Sequence, residues 1–170
     1  IANKGEGYTP FLDSLAKKGL FFRNNFANGR KSIEAVPSIL LGLPSLMDHP
    51  LAKSKFQFNN WNGLGTILKK QGYNSAFYHG AERGSMHFDA VAKLAGFDKY
   101  YGLEDYPRPE DTDGHWGIYD EPYLQYVSEM LGRQAPPFLS VVFTLSSHQP
   151  YPIPAQYKDK FKNAALDEDI

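Results

Sequence analysis

Three short stretches carry side chains whose types and spacing can do chemistry. In residues 27–46, "ANGRKSIEAVPSILLGLPSL", a small-residue loop delivers Arg30, Lys31 and then Ser32 to the start of an apolar, helix-like run. A helix start carries free N–H groups and a positive dipole end, so it favours an anion. Two adjacent cations pair with a phosphate or sulfate there. Ser32 then reads in two ways. As a cap, its hydroxyl accepts from the free N–H groups while Glu34 complements the dipole. As a nucleophile, it attacks a bound phosphoryl or sulfuryl group, given activation by a base or a metal. The second stretch, "YHGAERGSMHF" (78–88), sets His79 at the end of an apolar run before a glycine, suited to a ligand or to a hydrogen-bonded packing role. The third, "TLSSHQPYP" (144–152), sets His148 directly behind the most continuous apolar run in the chain, a position typical of sites. His49, His87 and His115 fall in polar loops or at a helix start and read as surface residues, although His87 is near enough in sequence to His79 to line the same pocket.

Other chemistries are excluded. There is no cysteine in the 170 residues, so zinc fingers, disulfide scaffolds and thiol nucleophiles are out. No histidine pair has the spacing of a helical metal site, and no phosphate-binding loop or nucleophile elbow occurs. The acids of "EDYPRPEDTDGHWG" (104–117) do not follow a calcium-loop spacing and read as a solvated loop. The net charge of −1 gives no general attraction to nucleic acid or anionic lipid. With 42% hydrophobic and 22% charged residues, the chain has the composition of a globular domain with a core of its own. The eleven tyrosines read first as core and loop packing, and second as surfaces suited to a glycan or lipid headgroup. No apolar run reaches the roughly 18 residues of a membrane span, and the opening residues do not read as a signal peptide. Ile1 opens the chain and "NAALDEDI" closes it without a terminal element, which reads as a piece of a longer protein.

The elements that must position these residues alternate. Thr9 and Pro10 start a helix that Gly19 stops, and "LFFRNNFA" (20–27) reads as a strand leading to the Asn28–Gly29 turn. Residues 33–41 read as a short helix that Pro37 kinks. A helix is expected over 61–71, a strand in "YNSAFYHG" (73–80), a helix over 85–94 and a short edge strand in "FDKYYG" (97–102). A long Pro-, Asp- and Gly-rich loop fills 103–117, the length of a functional loop. A helix follows over 121–131, and then "PPFLSVVFTL" (136–145), the clearest buried strand. This alternation predicts an α/β layered sheet with helices on both faces. In such sheets active residues gather at the carboxyl ends of strands, which singles out 29–32, 79–84 and 146–149.

In order and spacing, the stretches "TPFLDSLAKKGLFFRNNFANGRKSIEAVPSILLGLPSL", "YHGAERGSMHFDAVAKLAGFDKYYG" and "PPFLSVVFTLSSHQPYPIP" resemble the catalytic domain of lipoteichoic-acid-synthase-type phosphoglycerol transferases, in the alkaline phosphatase and sulfatase superfamily. The resemblance implies a three-layer αβα sandwich, incomplete in this chain, with residues 1–170 as one partial catalytic domain. It implies a membrane-anchored enzyme of the cytoplasmic membrane whose catalytic domain lies on the extracytoplasmic side. Its substrate is a phospholipid headgroup or envelope glycan, and nucleic acid is no partner. Ser32 matches the nucleophile, which also ligates a divalent metal, manganese or magnesium. His79 and His148 match two histidines that face the substrate headgroup, with Arg30 and Lys31 beside the anion. An acid and a Trp-x-Arg trio of the family are replaced by Ala81, Met86 and Phe88, so its glycerol-phosphate pocket is not reproduced. Two alternatives remain open. One is a sulfatase-like hydrolase of sulfuric or phosphoric esters, though not of the formylglycine type, which needs a proline and an arginine after the nucleophile where Ile33, Glu34, Ala35 and Val36 supply neither. A non-catalytic binding domain would keep the fold and lose the metal.

The resemblance places the remaining metal ligands before Ile1 and after Ile170. Titration calorimetry of the 170-residue chain with manganese is therefore expected to give no tight binding, and the chain by itself no turnover. A stoichiometric manganese isotherm would contradict this.

Overall fold

The computed structural model describes residues 9–161. A parallel sheet of three strands carries the functional loops. Strand β1 (Asn74–His79) lies in the middle, between β2 (Lys99–Tyr101) and β3 (Phe138–Phe143). The register sets Phe77 beside Tyr100 and Val141, and His79 beside Phe143. Side chains alternate along a strand, so one sheet has two different faces. Phe77 joins Phe88, Val91 and Ala92 of helix α4 (Phe88–Leu94) and Val36 and Leu40 of helix α2 (Ser32–Leu41) in one core cluster. Ala76 and Tyr78 face the other way, onto Tyr123 and Val127 of helix α5 (Asp120–Gly132) and onto Ile118. Helices therefore cover both faces of a parallel sheet, the layered architecture that the alternating pattern predicts.

Local chemistry sets the ends of these elements. Helix α1 (Pro10–Ala16) starts on proline, whose missing N–H costs nothing at a helix start. Helix α2 runs through the buried Pro37 and closes on Gly42 at φ 68°. Helix α3 (Leu64–Lys69) is shorter than the 61–71 expected and docks on the turn after α4. There the Thr66 N–H donates to the Ala95 carbonyl at 3.1 Å. Gly96, at φ 83°, lies so close that a Cβ would come within 2.1 Å of Thr66 Oγ1, so only glycine fits. The helix expected over 85–94 divides: a 3₁₀ turn, Ser85–His87, precedes α4, because Met86 and His87 hold left-handed φ of 50° and 56°.

Two further expectations are corrected. Residues 20–27 form no strand: no strand pairs with them among the described residues, and Leu20 and Phe26 are 91% and 90% exposed. Aromatic, apolar composition favours a strand only where a ladder partner is available. Strand β3 is half-buried rather than buried, because it has a neighbour on one side alone among the described residues. The buried strand is β1, covered from Ser75 to His79, whose run is shorter and more mixed.

Phe77 is wholly buried, with the rings of Phe88, Phe97 and Tyr100 at centroid distances of 6.1, 6.0 and 5.6 Å. Phe77→Ala removes this contact and leaves a cavity, at a cost of about 3–5 kcal/mol. Urea unfolding of the variant should show a clearly lower midpoint, and an unchanged midpoint would place the core elsewhere.

Candidate active site

The carboxyl ends of the three strands lie side by side, and hydrogen bonds join the loops that leave them. The Ile118 N–H donates to the Gly80 carbonyl at 2.9 Å, and the Leu103 N–H to the Ala81 carbonyl at 2.9 Å. Gly117, at φ 155°, approaches so closely that a Cβ would stand 2.2 Å from the Gly80 oxygen. The Asp120 carboxylate at the start of α5 accepts from the Leu145 and Ser146 N–H groups at 2.7 and 2.9 Å. In return the Asp120 N–H donates to Ser146 Oγ at 2.9 Å. Asp113 Oδ1 accepts from the N–H groups of His115, Trp116 and Gly117 at 2.8, 2.7 and 3.0 Å. Burial works to raise the Asp113 pKa, but these three donors hold it below the usual carboxylate range. The loop so braced walls a cleft of about 400 Å³ between Ala81, Glu82 and Ser85 on one side and His115, Trp116 and Gly117 on the other. A depression of about 490 Å³ opens at the amino end of β1, around Asn74, Asp98 and Arg133, away from these loops.

Ser32 is the first residue of α2, and the cap position belongs to Lys31, in an extended conformation. This corrects the capping alternative. Glu34 Oε2 reaches back to accept from the Arg30 N–H at 2.8 Å and the Lys31 N–H at 3.3 Å, the part an acid at the third helical position plays in a capping box, while the Glu34 and Ala35 N–H groups donate to the Lys31 carbonyl. The Ser32 hydroxyl makes no hydrogen bond among the described residues and is half-buried, and the side chains of Arg30 and Lys31 are exposed beside it. The loop is held by Ser38 Oγ, which donates to the Glu34 carbonyl at 3.0 Å and lies 3.4 Å from that of Asn28. Helix α2 packs on the same face of the sheet as His79.

The two histidines differ in kind. His79 ends β1 and is fully buried, its ring 5.1 Å from Phe88 and 5.4 Å from Phe143. Its Nδ1 lies 2.7 Å from the Tyr100 hydroxyl, and its Nε2 is buried without a partner among the described residues. Burial pushes its pKa down to about 4, against the opposing pull of Asp89 and Glu104, so the ring is neutral near pH 7. His148 is exposed on the loop after β3, its ring centroid 4.0 Å from that of Trp116. A carbonyl only accepts, so His148 Nδ1 donates to the Gln149 oxygen at 2.9 Å. The Trp116 indole N–H donates to the same oxygen at 2.8 Å. His49, His87 and His115 are exposed, as expected. Asp113, Trp116, Asp120 and Tyr100 had not been singled out: an aspartate that caps backbone and a tyrosine in an edge strand look ordinary in sequence.

A divalent metal needs several hard or imidazole ligands at one point. Among the described residues no group of three His, Asp or Glu side chains is so placed. These residues therefore do not fit a metal centre by themselves.

The layered parallel sheet with its site at the strand ends is the architecture of the alkaline phosphatase superfamily. The crystal structure of a protein of that superfamily from Vibrio parahaemolyticus matches with a TM-score of 0.76 at 29% identity, over 86% of this chain and 36% of that one. The chain belongs to the sulfatase family, whose model matches residues 2–169. It is 29% identical to the lipoteichoic acid synthase of Staphylococcus saprophyticus over 158 residues, covering 88% of this chain and 24% of the synthase. The fold is also similar to that of the lipoteichoic acid synthase LtaP of Listeria monocytogenes, with a TM-score of 0.76 at 19% identity over 94% of this chain and 41% of that one. The chain thus spans about a quarter of the length of the curated relative it matches.

The depressed pKa of His79 makes stability depend on pH. Its folded value of about 4 lies below the ordinary 6.5, so between these values the unfolded chain binds a proton that the folded chain refuses. The stabilisation is complete above about pH 6.5 and is lost as the pH falls toward 4, by roughly 3 kcal/mol. Urea midpoints at pH 7 and pH 4.5 should fall further apart in the parent than in His79→Gln. An equal fall in both would show that His79 is not the group responsible.

Proposed function

We propose that this chain is part of a transferase that moves a phosphoglycerol or similar phosphoryl headgroup between a membrane lipid and a cell-envelope acceptor, with Ser32 as the nucleophile. The observation that carries the reading is the position of Ser32 in the first turn of α2. Its hydroxyl makes no hydrogen bond among the described residues, because Ser32 lies one residue inside the cap position, and two exposed cations stand beside it. In this reading Ser32 Oγ gives up its proton to solvent and attacks the phosphorus of a phosphodiester, the bond to the lipid alcohol breaks, and the departing alkoxide takes up a proton in its turn. An acceptor alcohol or water then attacks the phosphoserine ester and releases Ser32. Arg30 and Lys31 draw the anionic headgroup to the helix start. In this reading His79, which ends β1, and His148, on the loop after β3, contact the headgroup. The family relationship supports a divalent metal, manganese or magnesium, with ligands beyond those described here, and an extracytoplasmic catalytic domain on a membrane-anchored protein.

Ser32→Ala in the complete protein should lower turnover of phosphatidylglycerol by about a thousandfold or more. Intact-mass spectrometry should show a phosphoglycerol adduct on the parent and none on the variant. Turnover retained by Ser32→Ala would remove Ser32 from the mechanism.

A further inference from the structure

A neutral imidazole carries its one proton on Nδ1 or on Nε2, and the partner of either nitrogen decides what the other can do. In His79 the partner of Nδ1 is the Tyr100 hydroxyl at 2.7 Å, while Nε2 is buried and unpartnered among the described residues. We infer that Tyr100 is a positioning residue: its hydroxyl donates to Nδ1, holds His79 as the Nε2–H tautomer, and so makes His79 a hydrogen-bond donor to an anionic phosphoryl oxygen. The donor role rests on the proposed function; the tautomer does not.

The direction of the bond follows from its chemistry. A phenol is a stronger acid than a neutral imidazole N–H, and an imidazole nitrogen is a better acceptor than a phenol oxygen, so O–H···N is the stronger pairing. A separation of 2.7 Å is usual for a hydroxyl donor and short for N–H···O, which centres on about 2.9–3.0 Å. The Tyr100 hydroxyl has no other hydrogen bond among the described residues to which its proton could go. Burial, with Asp89, pushes its pKa upward, so the phenol keeps its proton. The ring is also fixed: it stacks on Phe77 at 5.6 Å and lies under the Arg83 guanidinium at 5.3 Å. What remains is a buried Nε2–H without an acceptor, a costly arrangement that an incoming anionic oxygen relieves. A neutral donor of this kind binds an anion without competing for a proton or a metal.

Nitrogen-15 labelling of histidine in the complete protein, read by long-range proton–nitrogen correlation near pH 7, reports the tautomer directly. His79 is assigned by the loss of its signals in His79→Gln. The expected pattern is a pyrrole-like Nε2 and a pyridine-like Nδ1. Tyr100→Phe keeps the stacked ring and removes only the hydroxyl, and should shift His79 toward the Nδ1-protonated form. A protonated Nδ1 in the parent, or an unchanged tautomer in Tyr100→Phe, overturns the assignment. The same variant should raise KM for phosphatidylglycerol by about tenfold, the scale of one hydrogen bond to a charged group. An altered tautomer with an unchanged KM refutes the donor role. His79→Gln still offers an N–H and should keep more turnover than His79→Ala. If both match the parent, the substrate-facing reading of His79 is what fails, and Tyr100 is judged by the tautomer alone.

Discussion

The carbonyl of Gly80 is the point on which the carboxyl edge depends. It is the first backbone acceptor beyond β1, and the Ile118 N–H uses it to bring the long loop back over the strand end. Gly117 allows that approach because it has no Cβ to meet the oxygen. Once the loop is clipped there, Ile118 enters the core beside Tyr78 and Ala76, and Asp120 reaches the turn after β3. One backbone contact thus couples three loops that sequence order keeps far apart. The cost of ordering so long a loop is offset by burial of Ile118 and by the three N–H bonds to Asp113.

The same economy of polar groups separates Ser32 from its surroundings. Helix starts offer more donors than their own chain can satisfy. Here Glu34, in the first turn, turns back to the Arg30 and Lys31 N–H groups just ahead of the helix. The serine is left with a hydroxyl uncommitted to structure, at the place where the helix field favours negative charge.

Much of this was legible in the sequence, and the reasons differ by element. Helix α1, strand β1, α2, α4 and α5 announce themselves through periodicity and end signals such as Pro10, because these are local properties of the chain. Two of the three candidate loops, 79–84 and 146–149, follow strand ends, so their positions were legible too, whereas 29–32 was placed behind a strand that does not form. What was not legible depends on partners. Residues 20–27 carry strand-like composition, but pairing is decided by a neighbour and not by the run itself. The continuous apolar run of β3 suggested the sheet centre, yet order in a sheet is a tertiary fact. The Ser32 cap was misplaced because the helix begins one residue earlier, with the Lys31 carbonyl as its first acceptor, and a motif does not fix a helix start to a single residue. Tyr100 could be found from sequence only by knowing that β2 pairs with β1, which aligns it two residues short of His79.

The run Leu20 to Phe26 has a consequence for the colloidal behaviour of the chain. Three phenylalanines and a leucine stand open to water there, in a composition suited to intermolecular β-pairing. Arg23 is the single charge within them. It acts as a gatekeeper, since a cation amid such a run disfavours stacking of identical copies. A cation inside such a run opposes its pairing with a second copy, whatever the net charge of the whole chain.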